Sequence, residues 1–425
     1  MALLLLLACG PAAGSIPVNP SSSADSVGAE SSTDTPTTAA ESESAGSATD
    51  ETEASETPTR APRPTTDPAR VDELAIQRYQ SQGWQTDFSQ RSVPLSEIFS
   101  GGPTRDVIPP LDDPSFVSVS DADAWLGPKE PVILFELEGD ARAYPLQILI
   151  WHEIVNDEVG GIPITVTFCP LCNSAITFDR RLDGVVYDFG TSGNLRNSDL
   201  VMWDRQTESW WQQFTGEAIV GELNGKKLTF LSSTIVSWED FKTFHPGGQV
   251  LSKDTGFNRT YGQNPYAGYD QIDLPPFLFR GQTDGRLLPK ERVAAVTIGE
   301  VDAAFPFSTL EQERVVNYKV GEQDLVVFFK PGTQSALDGR LIAESKDVGS
   351  TGIFATQVDD QMLTFKIEDD RFVDHETGSI WNLLGEAVEG PLSGTRLTPI
   401  VHANHFWFSW GAFKPNTLVY QGQQG

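Results

Sequence analysis

Residues 164–178 read Ile164-Thr-Val-Thr-Phe-Cys-Pro-Leu-Cys-Asn-Ser-Ala-Ile-Thr-Phe178. Two runs of β-branched and aromatic residues flank a Cys-Pro-Leu-Cys segment, a pattern that predicts a strand, a tight turn and a second strand. Comparable short runs, broken by Gly and Pro, recur at 132–137, 325–329 and 362–367. We therefore expect a mainly β fold (β-rich α+β), made of short-stranded sheets or barrels with small packed helices.

Four short segments are predicted to be helical. Residues 71–82 have a helical pattern, and so do residues 121–126, which Ser120 precedes at the N-cap position. Residues 238–244 and 406–413 predict brief helices with aromatic faces. We expect these helices to pack on the sheets.

The sequence repeats itself at long range, which predicts two related structural units. Leu126-Gly-Pro-Lys-Glu-Pro-Val132 matches Leu287-Leu-Pro-Lys-Glu-Arg-Val293, and the same register continues without a gap to Ala175 and Ala336. Later blocks match in the same order, 204–211 with 374–381 and 237–242 with 409–414. We predict a first unit over 71–286 and a second over 287–425.

Cys169 and Cys172 occur in the first unit only, because Lys330 and Thr333 stand at the matching positions of the second. Residues that both units share are most simply explained by a structural role, whereas reactive residues present in one unit only are candidates for a function. Two thiolates in a strand–turn–strand segment resemble half of a zinc knuckle. His152 is the predicted third ligand, since a hairpin at Gly160-Gly161 returns the chain from it towards the cysteines.

Three interpretations of the cysteine pair stay open at the level of sequence. The first is a metal site of Cys169, Cys172 and His152, with zinc or copper as the ion. The second is a redox dithiol, although thioredoxin-type motifs normally lie at a helix N-terminus. The third is an inert disulfide, which an oxidising exterior favours.

A Gly-, Asn- and Tyr-rich insertion at about 251–286 is longer than a scaffold connection needs, and such loops often bind ligands. The alternative is that it packs the two units against each other. His402 and His405 are a weaker pair, for which a role at the core edge is preferred to metal binding. The predicted ligand-binding residues of the insertion are Arg259, Tyr261, Asn264, Tyr266, Tyr269 and Asp270.

The overall charge argues against one class of partner. The 425 residues include 59 acidic side chains against 30 Lys and Arg, a formal net charge of −29. Nucleic-acid binding needs clustered cations to neutralise phosphates, so we expect no nucleic-acid partner. The length accommodates two or three domains with real cores.

The N-terminus predicts export and a lipid anchor. Residues 1–9 end in Leu6-Leu-Ala-Cys9, which resembles a bacterial lipoprotein signal in which Cys9 receives the lipid, although no Lys or Arg precedes the apolar run. The alternative is an apolar N-terminus that is not cleaved. Residues 10–70 are rich in Ser, Thr, Pro and acids, which predicts a disordered tether. We therefore expect attachment to membrane lipid at the extracytoplasmic face.

Three strings together resemble the prokaryotic family catalogued as domain of unknown function 3179. They are Ala143-Tyr-Pro-Leu-Gln-Ile-Leu-Ile-Trp-His-Glu-Ile-Val-Asn-Asp157, Phe168-Cys-Pro-Leu-Cys-Asn-Ser-Ala175 and Arg259-Thr-Tyr-Gly-Gln-Asn-Pro-Tyr-Ala-Gly-Tyr-Asp270. The resemblance covers essentially all of the chain after the tether. It implies an exported prokaryotic protein and supplies no catalytic residues.

We interpret the protein as a surface-anchored lipoprotein that binds or handles a metal through the Cys-x-x-Cys and His site. One alternative is an extracytoplasmic thiol or metal-dependent oxidoreductase. Another is a structural or interaction module with an inert disulfide. The sequence identifies no reaction, no substrate and no protein partner.

Overall fold

The structure, a computed structural model, describes residues 68–422. The predicted signal 1–9 with Cys9, and nearly all of the predicted tether 10–70, lie outside the described residues. The chain divides into the units Met1–Arg63 and Pro64–Gly425, and all described residues belong to the second. The predicted boundary at 286/287 lies inside that unit. Within residues 68–422, no helix has both the length and the apolar character needed to cross a membrane.

The helices are short except for the first. Besides the α-helices, the described residues form short 3₁₀ helices at Leu95–Glu97 and Ile342–Glu344. The α-helices are α1 (Pro68–Ser81), α2 (Val119–Ala122), α3 (Leu146–His152), α4 (Trp238–Phe244), α5 (Phe307–Glu313) and α6 (Trp407–Phe413).

Strands dominate the described residues, which confirms the predicted mainly β fold. Most are short because Gly, Pro or a turn residue in the left-handed region ends them. They are β1 (Phe99–Ser100), β2 (Leu111–Asp112), β3 (Phe116–Ser118), β4 (Pro131–Leu137), β5 (Asp140–Pro145), β6 (Ile154–Val159), β7 (Ile162–Cys169), β8 (Ser174–Asp179), β9 (Arg181–Leu182), β10 (Val185–Val186), β11 (Phe189–Arg196), β12 (Asp199–Asp204), β13 (Trp210–Gln212), β14 (Glu217–Val220), β15 (Thr229–Leu231), β16 (Thr234–Ser237), β17 (Gln249–Leu251), β18 (Arg292–Ile298), β19 (Val301–Pro306), β20 (Val315–Val320), β21 (Gln323–Lys330), β22 (Ser350–Ala355), β23 (Gln357–Val358), β24 (Gln361–Met362), β25 (Phe365–Glu368), β26 (Arg371–Asp374), β27 (Ile380–Trp381), β28 (Ala387–Glu389), β29 (His402–Phe406) and β30 (Leu418–Val419).

The strands form several small sheets rather than one large one. Cys169 is the last residue of β7 in the sheet β15-β8-β7-β6-β2, and Cys172 lies in the turn from β7 to β8. The neighbouring segment of chain forms the sheet β1-β11-β12-β13-β14. The remaining larger sheets have the orders β16-β4-β5-β17-β3, β29-β18-β19-β30, β20-β21-β22 and β25-β26-β27-β28. Two-stranded hairpins, β9–β10 and β23–β24, complete the set.

Elements of the two predicted units correspond in geometry. A seven-residue helix precedes the antiparallel strands β6-β7-β8 in the first and β20-β21-β22 in the second. The register of β13 on β14 shifts at Trp211, and that of β27 on β28 shifts at Trp381. The indole of Trp211 donates to Asp204 at 2.8 Å, and that of Trp381 donates to Asp374 at 2.9 Å. A common origin of the two units stays a prediction.

The two predicted units share a core. The buried cluster around Cys169 and Cys172 also includes Ala336, Leu337 and Phe406 from the second unit. The backbone N–H of Phe406 donates to the carbonyl oxygen of Cys172 at 2.8 Å. The second unit therefore forms part of the surroundings of the cysteine turn.

Four predicted elements differ from the structure, the first being the helix predicted at 71–82, which is α1 at Pro68–Ser81. Helix α2 begins at Val119, because the hydroxyl of Ser118 rather than Ser120 caps it by accepting the N–H of Asp121 at 3.2 Å. The strand predicted at 362–367 is divided into β24 and β25, since the N–H of Thr364 donates to Glu376 instead of to a neighbouring strand. Helix α6 begins at Trp407, because Phe406 is the last residue of β29.

Candidate metal centre

The cysteine turn has the predicted strand–turn–strand form. Cys169 is the last residue of β7, and Ser174 is the first residue of β8. The N–H of Cys172 donates to the carbonyl of Cys169 at 3.2 Å, and Asn173 closes the turn in the left-handed region at φ 50°. Both cysteines are free thiols and almost completely buried.

A second hairpin brings Asp199 to the two thiols. The turn between β11 and β12 places Asn197 and Ser198 at φ 52° and 65°, the positive values that a tight type I′ hairpin requires. Asp199 follows as the first residue of β12 and is fully buried. One ligand atom each from Cys169, Cys172 and Asp199 lies within 4.8 Å of the others.

The two oxygens of the Asp199 carboxylate differ in the hydrogen bonds that they accept. Its Oδ2 accepts from the amide of Gln212 at 2.6 Å and from the N–H of Phe214 at 3.0 Å. No hydrogen bond to its Oδ1 has the usual geometry within residues 68–422, although the thiols of Cys169 and Cys172 interact with the carboxylate as weak donors. Burial raises the pKa of Asp199 to about 7, against the hydrogen bonds that lower it. A buried carboxylate that has only weak thiol donors beside one of its oxygens is poorly stabilised, and a cation would stabilise it.

Glu153 adds a further acid beside this group. It is the residue after α3, in the left-handed region at φ 60°, and it is buried. Burial and the nearby Asp199 raise the pKa of Glu153 to about 8. Burial likewise raises the pKa of the Cys169 thiol, with Asp199 and Glu153 contributing, and raises that of Cys172 well above its usual value. Burial and neighbouring acids, not a neighbouring cation, dominate these shifts.

His152 lies outside the group, contrary to its predicted place as third ligand. Its Nδ1 is 2.7 Å from the carbonyl oxygen of Pro109, and its Nε2 is 2.6 Å from the hydroxyl of Tyr261. Both ring nitrogens are thus engaged, and burial lowers the pKa of His152 to about 4. The structure places Asp199 rather than His152 beside the two thiols.

Tyrosines of the insertion cover the cysteine turn. The hydroxyl of Tyr269 donates to the carbonyl of Leu171, inside the Cys-Pro-Leu-Cys segment, at 3.0 Å. Tyr266 is hydrogen-bonded to Glu153 and is largely buried, which raises its pKa. Tyr261 holds His152. The predicted ligand-binding loop therefore contacts the region of the predicted ligands, and its tyrosines cover the cysteine turn.

Two of the other predicted residues of the loop, Asn264 and Asp270, make contacts that fit the packing alternative. Asn264 donates through its amide to the carbonyl of Gly339 at 3.0 Å, and Asp270 is paired with Arg292 and Lys346. All of these partners belong to the second predicted unit. Arg259 donates to the carbonyl of Val107 at 3.4 Å, and its Nε lacks a partner among the described residues.

A family model described as "Protein of unknown function (DUF3179)" matches residues 105–417. The chain belongs to this family. The resemblance drawn from the three sequence strings is thereby confirmed. No curated protein and no solved structure matches the chain.

Within this DUF3179 protein, the second unit offers an internal comparison with the candidate site. Arg314, at φ 64° after α5, corresponds to Glu153, and in the register that matches Asp204 with Asp374, Asp369 of the β25–β26 turn corresponds to Asp199. Arg314 donates to Asp370 of that turn at 2.8 Å. Lys330, at the place of Cys169, pairs with Asp240. The second unit thus has the cations Arg314 and Lys330 where the first has the buried acid Glu153 and the buried thiol Cys169.

Sequence reasoning missed Asp199 and Glu153. A weak signal exists for each. Asp199 opens the otherwise apolar run Asp199-Leu-Val-Met-Trp203 directly after an Asn-Ser turn, and the predicted repeat register sets Glu153 opposite Arg314. The contact between Asp199 and the thiols depends on how two sheets pack, which no local pattern specifies.

Proposed function

We propose that this DUF3179 protein binds a divalent metal ion, zinc in preference to copper, through Cys169, Cys172 and Asp199. The observation that carries the proposal is the convergence of two buried thiols and a buried carboxylate within 4.8 Å. Zinc accepts thiolate sulfur and carboxylate oxygen in one tetrahedral site. Cuprous copper favours soft sulfur ligands, so the Asp199 oxygen argues for zinc.

The electrostatics of the site support a cation. All three ligands must lose a proton to bind metal, and their raised pKa values reflect how poorly buried negative charge is tolerated there without one. One more oxygen lies beside the group, the Ser198 carbonyl, which is 3.5 Å from the Cys172 sulfur. Tetrahedral zinc requires a fourth ligand besides these three side chains, and no other described His, Cys, Asp or Glu has a ligand atom within 4.8 Å of all three.

The burial of the site favours a structural or storage role over catalysis. Catalytic zinc keeps one position open to water or substrate, whereas Cys169, Cys172 and Asp199 are each at most 2% exposed. A bound ion would fasten the β7–β8 turn to the β11–β12 turn. Catalytic thiols are accessible and have lowered pKa values, so the raised values here argue against a thiol oxidoreductase.

Metal analysis of the purified protein tests this function. We expect one zinc ion per chain, lost in Cys172→Ser and in Asp199→Asn. The matched controls Thr333→Ser and Asp183→Asn, the first at the corresponding turn of the second unit and the second on the surface, should keep it. Metal-free protein with no titratable thiol at 169 and 172 would instead identify an inert disulfide. Metal-free protein with a thiol that titrates below its usual pKa would favour redox chemistry.

We further propose that the protein is exported and held at the extracytoplasmic face by lipid on Cys9. The support is the sequence Leu6-Leu-Ala-Cys9, followed by a Ser-, Thr- and Pro-rich segment. Mass spectrometry of the N-terminal peptide from the membrane fraction should show lipid on Cys9. Cys9→Ser should move the protein out of that fraction, and unchanged membrane attachment of this variant contradicts the anchor.

A further inference from the structure

Residues 259–270 of the insertion form a loop, the cover loop, that lies against the cysteine turn. The hydroxyl of Tyr269 donates to the carbonyl of Leu171 at 3.0 Å, and Tyr266 is hydrogen-bonded to Glu153. Burial raises the pKa of both tyrosines, and a neighbouring cysteine thiol raises it further. The three proposed metal ligands are each at most 2% exposed. An ion therefore reaches the two thiols only after part of the surrounding structure moves.

The strands that carry the proposed ligands are held more firmly than the cover loop. Strand β7 is hydrogen-bonded to β6 and β8 along its length, and β12 is hydrogen-bonded to β11 and β13. Residues 252–291, all of which the structure describes, form neither helix nor strand. Local opening requires least free energy where few backbone hydrogen bonds must break. The cover loop is therefore the part of these surroundings that opens most readily.

The second unit holds the cover loop in place through its connection between β21 and β22, residues 331–349. The backbone N–H of Asn264 donates to the carbonyl of Arg340 at 2.9 Å, and that of Gly268 donates to the carbonyl of Asp338 at 2.6 Å. In the predicted repeat register, this connection begins where the first unit has its cysteine turn. The turn without cysteines thus binds the loop that covers the turn with cysteines.

Asp270, the last residue of the cover loop, adds ion pairs to this contact. Its buried carboxylate lies 2.9 Å from Arg292 and 3.0 Å from Lys346, and the Lys346 ammonium also donates to the backbone carbonyl of Asp270 at 3.4 Å. The Lys346 side chain is 46% exposed, whereas Arg292 and the hydroxyl of Ser335 bind the carboxylate from the interior. Removing the Lys346 ammonium should therefore weaken the contact without leaving a buried charge unpaired.

We propose that the cover loop controls metal exchange at the cysteine turn. The loop leaves the turn for an ion to enter or leave, and its contacts with residues 331–349 set how often it does so. This proposal rests on metal binding by Cys169, Cys172 and Asp199. It gives the second unit, which has no cysteines, the role of slowing release of the ion from the first. Weakening the contacts speeds both entry and release, without changing which residues bind the ion.

The rate at which the zinc-loaded protein releases zinc to an excess of chelator tests this control. Lys346→Met should keep one zinc ion per chain and release it about 3- to 5-fold faster, the factor that corresponds to the loss of a partly exposed ion pair. Lys366→Met removes a lysine of similar exposure, 40%, that is paired with Glu368 in the same unit. This matched control should release zinc at the rate of the unaltered protein.

Two further measurements distinguish opening of the cover loop from unfolding of the whole chain. Release through the loop should depend on urea much less steeply than global unfolding does, and equal steepness overturns the proposal. Hydrogen exchange at Asn264 and Gly268 should be faster in Lys346→Met, with exchange in β7 unchanged. Zinc bound with an unaltered release rate in Lys346→Met overturns control by the cover loop alone, whereas unaltered protein that binds no zinc overturns the metal site as well.

Discussion

Glu153 and Arg314 occupy the same backbone position in corresponding elements, each in the left-handed region directly after a seven-residue helix. Each backbone N–H donates to the last turn of its helix at 2.7 Å, and each carbonyl accepts at 2.8 Å from a phenylalanine N–H, that of Phe168 in β7 or Phe329 in β21. The side chains have opposite charges. Arg314 reaches Asp370 in the adjacent turn, whereas Glu153 lies among acids. The same backbone conformation therefore positions an ion-paired arginine in the second unit and a buried acid next to the candidate metal centre in the first.

The first prediction exchanges this charge. Glu153→Arg should place a guanidinium beside Cys169 and Asp199, as Arg314 does beside Asp370, and the zinc content of the purified protein should fall to background. The backbone tolerates the change, since Arg314 already adopts this conformation. Glu158→Arg, at an exposed position of β6, should retain the metal. Full zinc content in Glu153→Arg would contradict this prediction, because it would show that a guanidinium at this position does not displace the ion.

The second prediction concerns pH. In the metal-free protein the folded-state pKa values of Asp199 and Glu153, about 7 and about 8, exceed their usual values. The folded state then binds more protons than the unfolded state. The contribution of these two groups to the free energy of unfolding is therefore greatest below about pH 4 to 5. It falls as pH rises to about 8, by an amount on the order of a few kcal/mol.

Urea unfolding with a metal chelator, at pH 5 and at pH 8, measures this loss. Asp199→Asn should flatten the pH dependence, and the surface control Asp183→Asn should not. With zinc present the trend should reverse, because deprotonated ligands bind metal more tightly as pH rises. A metal-free protein that is more stable at pH 8 than at pH 5 contradicts the assignment of these buried acids.

Local patterns explain which parts of the molecule could be predicted. The strands around Cys169 and Cys172 and helix α4 depend on residues close in sequence, so the sequence predicted them. The contact of Asp199 with the thiols joins two hairpins about 30 residues apart and depends on long-range packing. His152 was predicted as a ligand because a hairpin returns the chain past it. A hydroxyl more than 100 residues away, that of Tyr261, and the carbonyl of Pro109 bind its ring instead.

The third prediction concerns Asp270, which connects the insertion to the second unit. Its carboxylate is fully buried and accepts from Arg292 at 2.9 Å, from Lys346 at 3.0 Å and from Ser335. Burial raises the pKa of Asp270, but Arg292, Ser335 and Lys346 outweigh it and lower the value overall. Removing one partner of a buried ion pair leaves an uncompensated charge, so Asp270→Ala should cost about 3–5 kcal/mol of unfolding free energy.

Urea unfolding at neutral pH measures that loss, with Asp273→Ala as the control because Asp273 is an exposed acid in the same loop. The Asp273 variant should stay within about 0.5 kcal/mol of the unaltered protein. A small effect of Asp270→Ala would show that the loop is not fastened through this carboxylate. The loop would then contribute little to joining the two units.

The last prediction uses the matched pair Asp204 and Asp374. Each buried carboxylate accepts the N–H and hydroxyl of a threonine three residues later, and the indole of a tryptophan seven residues later. Since hydrogen bonds to a charged group contribute more than neutral ones, Asp204→Ala and Asp374→Ala should each lower the unfolding free energy by about 2–4 kcal/mol.

The two carboxylates lie in different sheets and share none of these partners, so their effects should add in the double variant to within about 0.5 kcal/mol. Urea unfolding of the two single variants and the double variant measures this. A large cost for one aspartate and none for the other would show that matching hydrogen bonds do not have matching energies in the two units. A double variant much less destabilised than the sum would show that the first substitution already disrupts the core that both units share.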